Sequence, residues 1–415
     1  MDLIYQLGIR FYLLAVQVAS LFNEKARRMA KGRKATFSYL EKNIDHSRPL
    51  VWVHCASLGE FEQGRPLIEQ IKKQHPVYRV LLTFFSPSGY EIRKDYGFAD
   101  YICYLPADTA HNAKNFIELT KPEKVFFIKY EYWYFYLDEL KQRGIPTFSI
   151  SSIFRENQLF FKPQGEFYRD ILRNFDYFFV QNKLSKDLLK GIDISNVMVV
   201  GDTRFDRVRE ICSKAKTIGI AEKFKDQKSL MVLGSSWPND IEKIAPFINK
   251  WVGMLKFIIA PHEIEEKNLQ QIESQVKGDL IRFSNANPDA VHTSDILVID
   301  NIGMLSSLYR YGEYAYIGGA FDHGIHNTLE AATFGIPIFI GKDEKNLKYQ
   351  EAMDLVKLGA GFEIANWEEM DAAFSKLYSD KSAYKTAANA AKNYIDKNTG
   401  ATGKIMEVTQ KMVKI

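Results

Sequence analysis

Short apolar runs alternate with amphipathic stretches from about residue 50 onward, and this alternation predicts the architecture. In the first half, strand patterning falls at 50–53, 80–83, 101–105, 125–128, 147–150, 177–180 and 197–200. Helical periodicity separates several of these runs, for example over 61–73 and 184–190. In the second half the strand runs are 230–233, 257–260, 296–299, 314–317 and 338–340. Strands that are apolar throughout and alternate with helices belong to parallel sheets covered on both faces. Residues 206–228 are rich in Lys and Arg and lack strand patterning, so the linker is placed there. The predicted fold is α/β, with two doubly wound, Rossmann-like domains of similar size. In such sheets ligands sit beyond the carboxyl ends of the strands, here in an expected interdomain cleft built from loops of both halves.

The first 35 residues break this pattern. Residues 3–22 are largely apolar but are interrupted by Gln6, Arg10 and Gln17. A basic run follows, with Lys25, Arg27, Arg28, Lys31, Arg33 and Lys34. Positive charge after the apolar stretch, with no small-residue cleavage site before it, does not fit a secretory signal peptide. Two readings fit: a membrane anchor, shallow or singly spanning, or an amphipathic helix docked on the protein's own core. Under the first, the basic run would face anionic headgroups on the cytoplasmic side.

The 415 residues carry 55 Lys and Arg against 51 Asp and Glu, a net charge of +4, too weak a bias to make nucleic acid the main partner. Cys55, Cys103 and Cys212 are far apart and form no C-x-x-C, so neither a zinc knuckle nor a redox pair is signalled.

Two loops carry candidate chemistry. The run 50–53 leads into His54-Cys-Ala-Ser-Leu-Gly-Glu60, where Gly59 permits a tight turn and Glu60 falls in the first turn of a helix. A carboxylate there is favoured in its ionised form. Glu60 is either a general base for an acceptor hydroxyl or a first-turn acid that complements the helix dipole. The second loop is Gly318-Gly-Ala-Phe-Asp-His-Gly-Ile-His-Asn-Thr-Leu-Glu330, with a helix expected from Asn327 to Gly335. Free N–H groups at that helix start suit a phosphate, and Glu330 one turn in suits ribose hydroxyls. The combination points to a nucleotide-sugar donor. His323 and His326 have metal-ligand chemistry, but only Asp322 is near enough in sequence to add a third ligand, and no metal is assigned.

The segment Trp52-Val-His-Cys-Ala-Ser-Leu-Gly-Glu60 resembles the signature of the Kdo transferases, which add 3-deoxy-D-manno-octulosonic acid to lipid A precursors. The resemblance extends, in family order, through Gly32-Arg-Lys34, Ser86-Pro-Ser-Gly89, Tyr104-Leu-Pro106, Glu131-Tyr-Trp133 and Gln181-Asn182. It continues through Gly201-Asp-Thr-Arg-Phe-Asp206, Gly234-Ser-Ser236, His326-Asn-x-Leu-Glu330 and Gly335-x-Pro337. It implies the GT-B glycosyltransferase architecture: an anchor and basic segment over 1–35, an acceptor-binding domain over 36–210 and a donor-binding domain over 225–415. The implied activity is inverting transfer of Kdo from CMP-Kdo to lipid IVA at the cytoplasmic side of the inner membrane. No metal or cofactor is implied beyond the donor substrate. The implied general base is Glu60, with Glu131 as supporting acid and Arg204 as the basic residue where many members carry Lys. The implied CMP contacts are Pro261, His262, Ile302, Gly303, Met304, Asn327, Thr328, Leu329 and Glu330.

The chain departs from the family pattern in three places. Pro261-His262-Glu263 stands where many members have Pro-Arg-His, replacing a fixed charge with a group that titrates near neutrality. Gly324-Ile325 stands for Gly-Gly, and Tyr134-Phe135 for Pro-Asn. The competing expectation is another GT-B enzyme that uses a UDP-sugar, either a transferase or a 2-epimerase.

Overall fold

The computed structural model describes residues 2–412, which divide into two compact units, one of residues 1–207 with 399–415 and one of residues 208–398. In the first unit seven strands form a parallel sheet: β1 (Leu50–Cys55), β2 (Arg79–Phe84), β3 (Tyr101–Tyr104), β4 (Lys124–Ile128), β5 (Thr147–Ser152), β6 (Tyr177–Val180) and β7 (Val197–Val199). Their order is β3-β2-β1-β4-β5-β6-β7, so the winding reverses between β1 and β4. Each coincides with a run that alternation marked as strand. β1 shows why: Leu50, Trp52 and His54 point to one face, Val51, Val53 and Cys55 to the other, and all six are buried.

The second unit repeats the plan with β8 (Leu230–Ser236), β9 (Lys256–Pro261), β10 (Leu280–Arg282), β11 (Ile296–Val298), β12 (Tyr314–Ile317), β13 (Ile338–Gly341) and β14 (Gly361–Ile364). The order is β10-β11-β9-β8-β12-β13-β14, with the reversal between β8 and β12. The two outer strands, β10 and β14, had no counterpart in the sequence pattern. Residues 206–228, expected as a linker, instead include most of a helix over Thr203–Ser213 and a second over Gly219–Lys225. The donor domain expected to run to 415 stops at 398. The helix Ala401–Met412 returns to the first unit, where Ala401, Ile405 and Met406 enter its core.

The N-terminal segment forms helix α1 (Asp2–Ala19), followed by α2 (Glu24–Asn43). Among the described residues no helix is long and apolar enough to cross a membrane. The 18 residues of α1 rise about 27 Å, short of a hydrocarbon core of about 30 Å, and its glutamines and arginine lower its hydropathy. A spanning form of the expected anchor is therefore not seen among the described residues. One face of α1 docks on the first unit: Tyr5 packs edge-on against Tyr134 and Phe135, and its hydroxyl donates to Asp108 Oδ2 at 2.5 Å. The opposite face leaves Ile4, Leu7, Phe11, Leu14 and Val18 exposed. The basic run lies on α2, which buries Arg33, Thr36 and Leu40 along one stripe. Gly32 permits this approach, since a Cβ there would lie 2.3 Å from the Tyr104 ring.

Candidate functional site

Both reversal points are where a doubly wound sheet opens for ligands, because adjacent loops there leave in opposite directions. In the first unit the loops after β1 and β4 flank that point, and they carry Glu60 and Glu131. Helix α3 (Leu58–Gln74) starts directly after β1. Ser57 is its N-cap residue, yet its hydroxyl makes no cap bond and instead donates to Glu60 Oε2 at 2.8 Å. This bond orients a half-buried carboxylate in the first helical turn.

Glu131 is more deeply held, at 7% exposed. Its Oε2 accepts from Trp133 Nε1 at 2.7 Å and lies 3.0 Å from His54 Nε2. His54 is fully buried, and its Nδ1 lies 2.8 Å from Thr83 Oγ1, which also accepts from Trp52 Nε1 at 2.8 Å. A neutral ring satisfies every partner if Thr83 donates to Nδ1 and Nε2–H donates to the carboxylate. The thiol of Cys55 beside them is pushed well up, first by burial and then by Glu60 and Glu131. The full burial of Cys55 argues against a nucleophilic role.

Arg204 reaches the same neighbourhood through α3. Its guanidinium grips Asp202 Oδ2 through Nε at 2.9 Å and a terminal nitrogen at 2.8 Å. Gln63 on α3 donates to that same oxygen at 3.3 Å, and the Thr203 hydroxyl donates to the Gln63 carbonyl at 2.6 Å. One turn of α3 thus separates Glu60 from Gln63, which holds the start of the Arg204 helix.

In the second unit the loops after β8 and β12 meet at the reversal. Asp240 ties them together: its Oδ2 accepts from the backbone N–H of Trp237 and of Gly319, both at 2.8 Å, and Oδ1 accepts from Tyr316 at 2.7 Å. Burial raises its pKa, against those three donors. Gly319 has φ +89°, and a Cβ there would lie 2.4 Å from the Gly324 carbonyl oxygen. On this frame Trp237 stacks with His323 at 3.7 Å and with His262 at 4.5 Å, ring centre to ring centre. Trp237 Nε1 donates to His326 Nε2 at 2.9 Å. Burial, then His262 and His323, lower the pKa of His326 to about 4. The Trp237 indole occupies Nε2 of His326, and among the described residues no group of three potential ligands could hold a metal.

The expected nucleotide contacts are spread around this stack. Pro261 ends β9, and the His262 N–H donates to the Ser236 carbonyl at 2.9 Å. Ile302 is 85% exposed, Gly303 has φ +94° and Met304 caps a one-turn helix. The helix expected from Asn327 begins at Leu329 and covers only Leu329–Thr333. Asn327 bonds from outside it: Oδ1 accepts from the Leu329 N–H at 3.1 Å, and one Nδ2 hydrogen donates to Glu330 Oε1 at 3.0 Å. Burial raises the pKa of Glu330. The hydroxyls of Ser236 and Thr328 are buried with no hydrogen-bond partner. The Thr328 orphan, next to the exposed Asn327, suits a ligand that brings acceptors. Sequence reasoning passed over Trp237 and Asp240, although Trp-Pro-Asn-Asp directly after a strand is a helix-start signal.

Residues 26–207 match the family model of the 3-deoxy-D-manno-octulosonic-acid transferases, a span that includes Glu60, Glu131 and Arg204. The 3-deoxy-D-manno-octulosonic acid transferase of Aquifex aeolicus is 28% identical over 351 residues, which cover 83% of this chain and 90% of that protein. The transferase of the same name from Rickettsia typhi is 26% identical over 364 residues, 86% of this chain and 78% of that one. The chain carries a domain matching the Kdo transferase model and is similar to Kdo transferases over most of its length. Among solved structures, a UDP-GlcNAc 2-epimerase from Neisseria meningitidis is similar with a TM-score of 0.58 at 16% identity, covering 87% of this chain and all 100% of that one. MurG from Acinetobacter baumannii is similar with a TM-score of 0.54 at 12% identity, covering 88% and 99%. At such identities the likeness establishes the fold: this chain has the GT-B architecture.

Proposed function

We propose that this chain is a Kdo transferase that moves Kdo from CMP-Kdo to a lipid A precursor, lipid IVA, in lipopolysaccharide synthesis. The observation that carries the proposal is the Ser57-oriented Glu60 carboxylate at the β1/β4 reversal, within the family-matched span. A sugar hydroxyl is a poor nucleophile at neutral pH. Glu60 takes its proton as the oxygen attacks the anomeric carbon of Kdo, and the CMP phosphate leaves from the opposite face, inverting that centre. Glu131, fixed by Trp133 and His54, holds the second negative charge in place. In the second unit, the orphan hydroxyls of Ser236 and Thr328 and the remaining Asn327 Nδ2–H are assigned to the donor's phosphate and ribose, and in the first unit Arg204 supplies positive charge. The chemistry requires no metal.

Location is part of the same proposal. The exposed stripe of Ile4, Leu7, Phe11, Leu14 and Val18, continued by Leu21 and Phe22, fits a helix lying in the plane of a membrane surface. The exposed Lys25, Lys31 and Lys34 of α2 suit anionic headgroups at the cytoplasmic face of the inner membrane.

Mass spectrometry of lipid IVA incubated with the protein and CMP-Kdo tests the reaction, and a mass gain of one or more Kdo units is expected. Thermal shift with CMP against UDP and UMP tests the donor. Preferential stabilisation by uridine nucleotides would move the assignment to a UDP-sugar enzyme.

A further inference from the structure

Arg33 is 8% exposed, and Nε and both terminal nitrogens are buried with no hydrogen-bond partner. Among the described residues it is the one guanidinium left wholly unbonded in this way. What surrounds it is aromatic: the Phe85 ring lies 4.4 Å away and the Tyr12 ring of α1 5.7 Å away. Ring faces offset part of the cost of a buried cation, but they leave its donors unused. The nearby carboxylate of Asp108 is already spent on the Tyr5 hydroxyl and on the Phe135 and Tyr136 N–H groups. Phe85 in turn stacks on Trp133 at 5.0 Å, whose N–H holds Glu131. The unbonded cation thus stands two aromatic rings, Phe85 and Trp133, away from Glu131. A narrow pocket lined by Ile9, Tyr12, Phe85, Leu105, Trp133 and the already bonded Asp108 shares both rings that cover Arg33.

We propose that Arg33 is the recognition residue for a phosphate monoester carried by the lipid acceptor, and that Tyr12 is the cover this group displaces. The inference rests on the transferase reading and deepens it. A guanidinium presents a planar fork of donors that matches the oxygens of a phosphate, and such charge-assisted bonds are the strong ones. The exposed Lys31 and Lys34 on the same helix add positive field at the entrance. Because Tyr12 belongs to α1, uncovering Arg33 is coupled to the helix whose outer face is proposed to meet lipid.

The test uses the full chain with Arg33→Met, which keeps the length and drops the charge, and Arg33→Lys. Transfer is measured to the phosphorylated lipid and to the same lipid after phosphatase treatment, and melting is measured with and without inorganic phosphate. Arg33→Met should lose about 10- to 100-fold in kcat/KM on the phosphorylated acceptor, chiefly through KM, and its preference for that acceptor should collapse. Arg33→Lys should keep part of the preference. Phosphate should raise the melting temperature of the parent protein but not of Arg33→Met. Equal losses on both acceptors, or equal stabilisation by phosphate, would overturn the proposal in favour of a packing role. Competition by phosphatidylglycerol vesicles that Arg33→Met abolishes would assign Arg33 to the bilayer headgroup and overturn the acceptor assignment. Absence of transfer to either lipid by the parent would sink the transferase reading instead, and the phosphate melts would still decide whether Arg33 takes an anion.

Discussion

Asp240→Ala isolates the side chain that holds the donor-side loops in register. The carboxylate accepts three hydrogen bonds, from the N–H groups of Trp237 and Gly319 and the hydroxyl of Tyr316, and it is 1% exposed. Alanine leaves three buried donors with no acceptor, each costing about 1–3 kcal/mol. Burial already disfavours the charge of Asp240, so removing that charge returns part of the loss. The net expectation is a destabilisation of about 3–5 kcal/mol. Asp240→Asn is a sharp control. Its amide oxygen can keep both N–H donors, and its NH2 can donate to Tyr316, whose hydroxyl reverses role, so the cost should be near 1 kcal/mol. Guanidinium denaturation of parent and variants, followed by far-UV circular dichroism, gives the two differences. CMP titration of the folded variants then reports the loop, and affinity should weaken more for Ala than for Asn. An alanine variant within 1 kcal/mol of the parent, or an asparagine variant as damaged as the alanine one, would refute the reasoning.

Glu60→Gln should lower the transfer rate about 100-fold or more, the scale of a lost general base, while CMP still raises the melting temperature as it does for the parent. Normal turnover by that variant would remove Glu60 from the mechanism. Because the folded pKa of His326 is lowered to about 4, its contribution to stability is full above about 6.5 and falls away as the pH drops towards 4. His326→Gln should flatten melting temperature against pH in that window, and an unchanged curve counts against the buried neutral ring. Replacing Leu7, Phe11 and Leu14 together by Ser should abolish flotation with anionic liposomes and leave the melting temperature nearly unchanged, because all three face outward. A large fall in stability would show that the stripe packs on protein.

The interior of each sheet was legible because its strands are covered on both faces and so read as uninterrupted apolar runs. β10 and β14 were not, and both are edge strands: Leu280, Ile281 and Arg282 are all half-buried, and β14 mixes Glu363 with Phe362. An edge strand has only one neighbour to shape its composition. Glu60 was legible because strand, small residues, Gly and acid follow one another locally. The Glu131–His54 pair joins positions 77 apart, and no local pattern marks such a contact. The helix at Asn327 was expected two residues early because an Asn–Glu spacing imitates a cap, whereas here that Asn bonds Glu330 from outside the helix. Membership of the helix Ala401–Met412 was equally hidden. Its apolar stripe states that it packs, not which of two cores receives it.

That last helix makes the second unit an insertion within the first. Ala401, Ile405 and Met406 fill a core whose other members lie before residue 208. On the ribosome, the first sheet must wait with an uncovered apolar face while some 190 residues of the other unit emerge and fold. Losing a dozen or so residues from the carboxyl end would therefore damage the half of the protein that was made first, and would spare the half next to the cut.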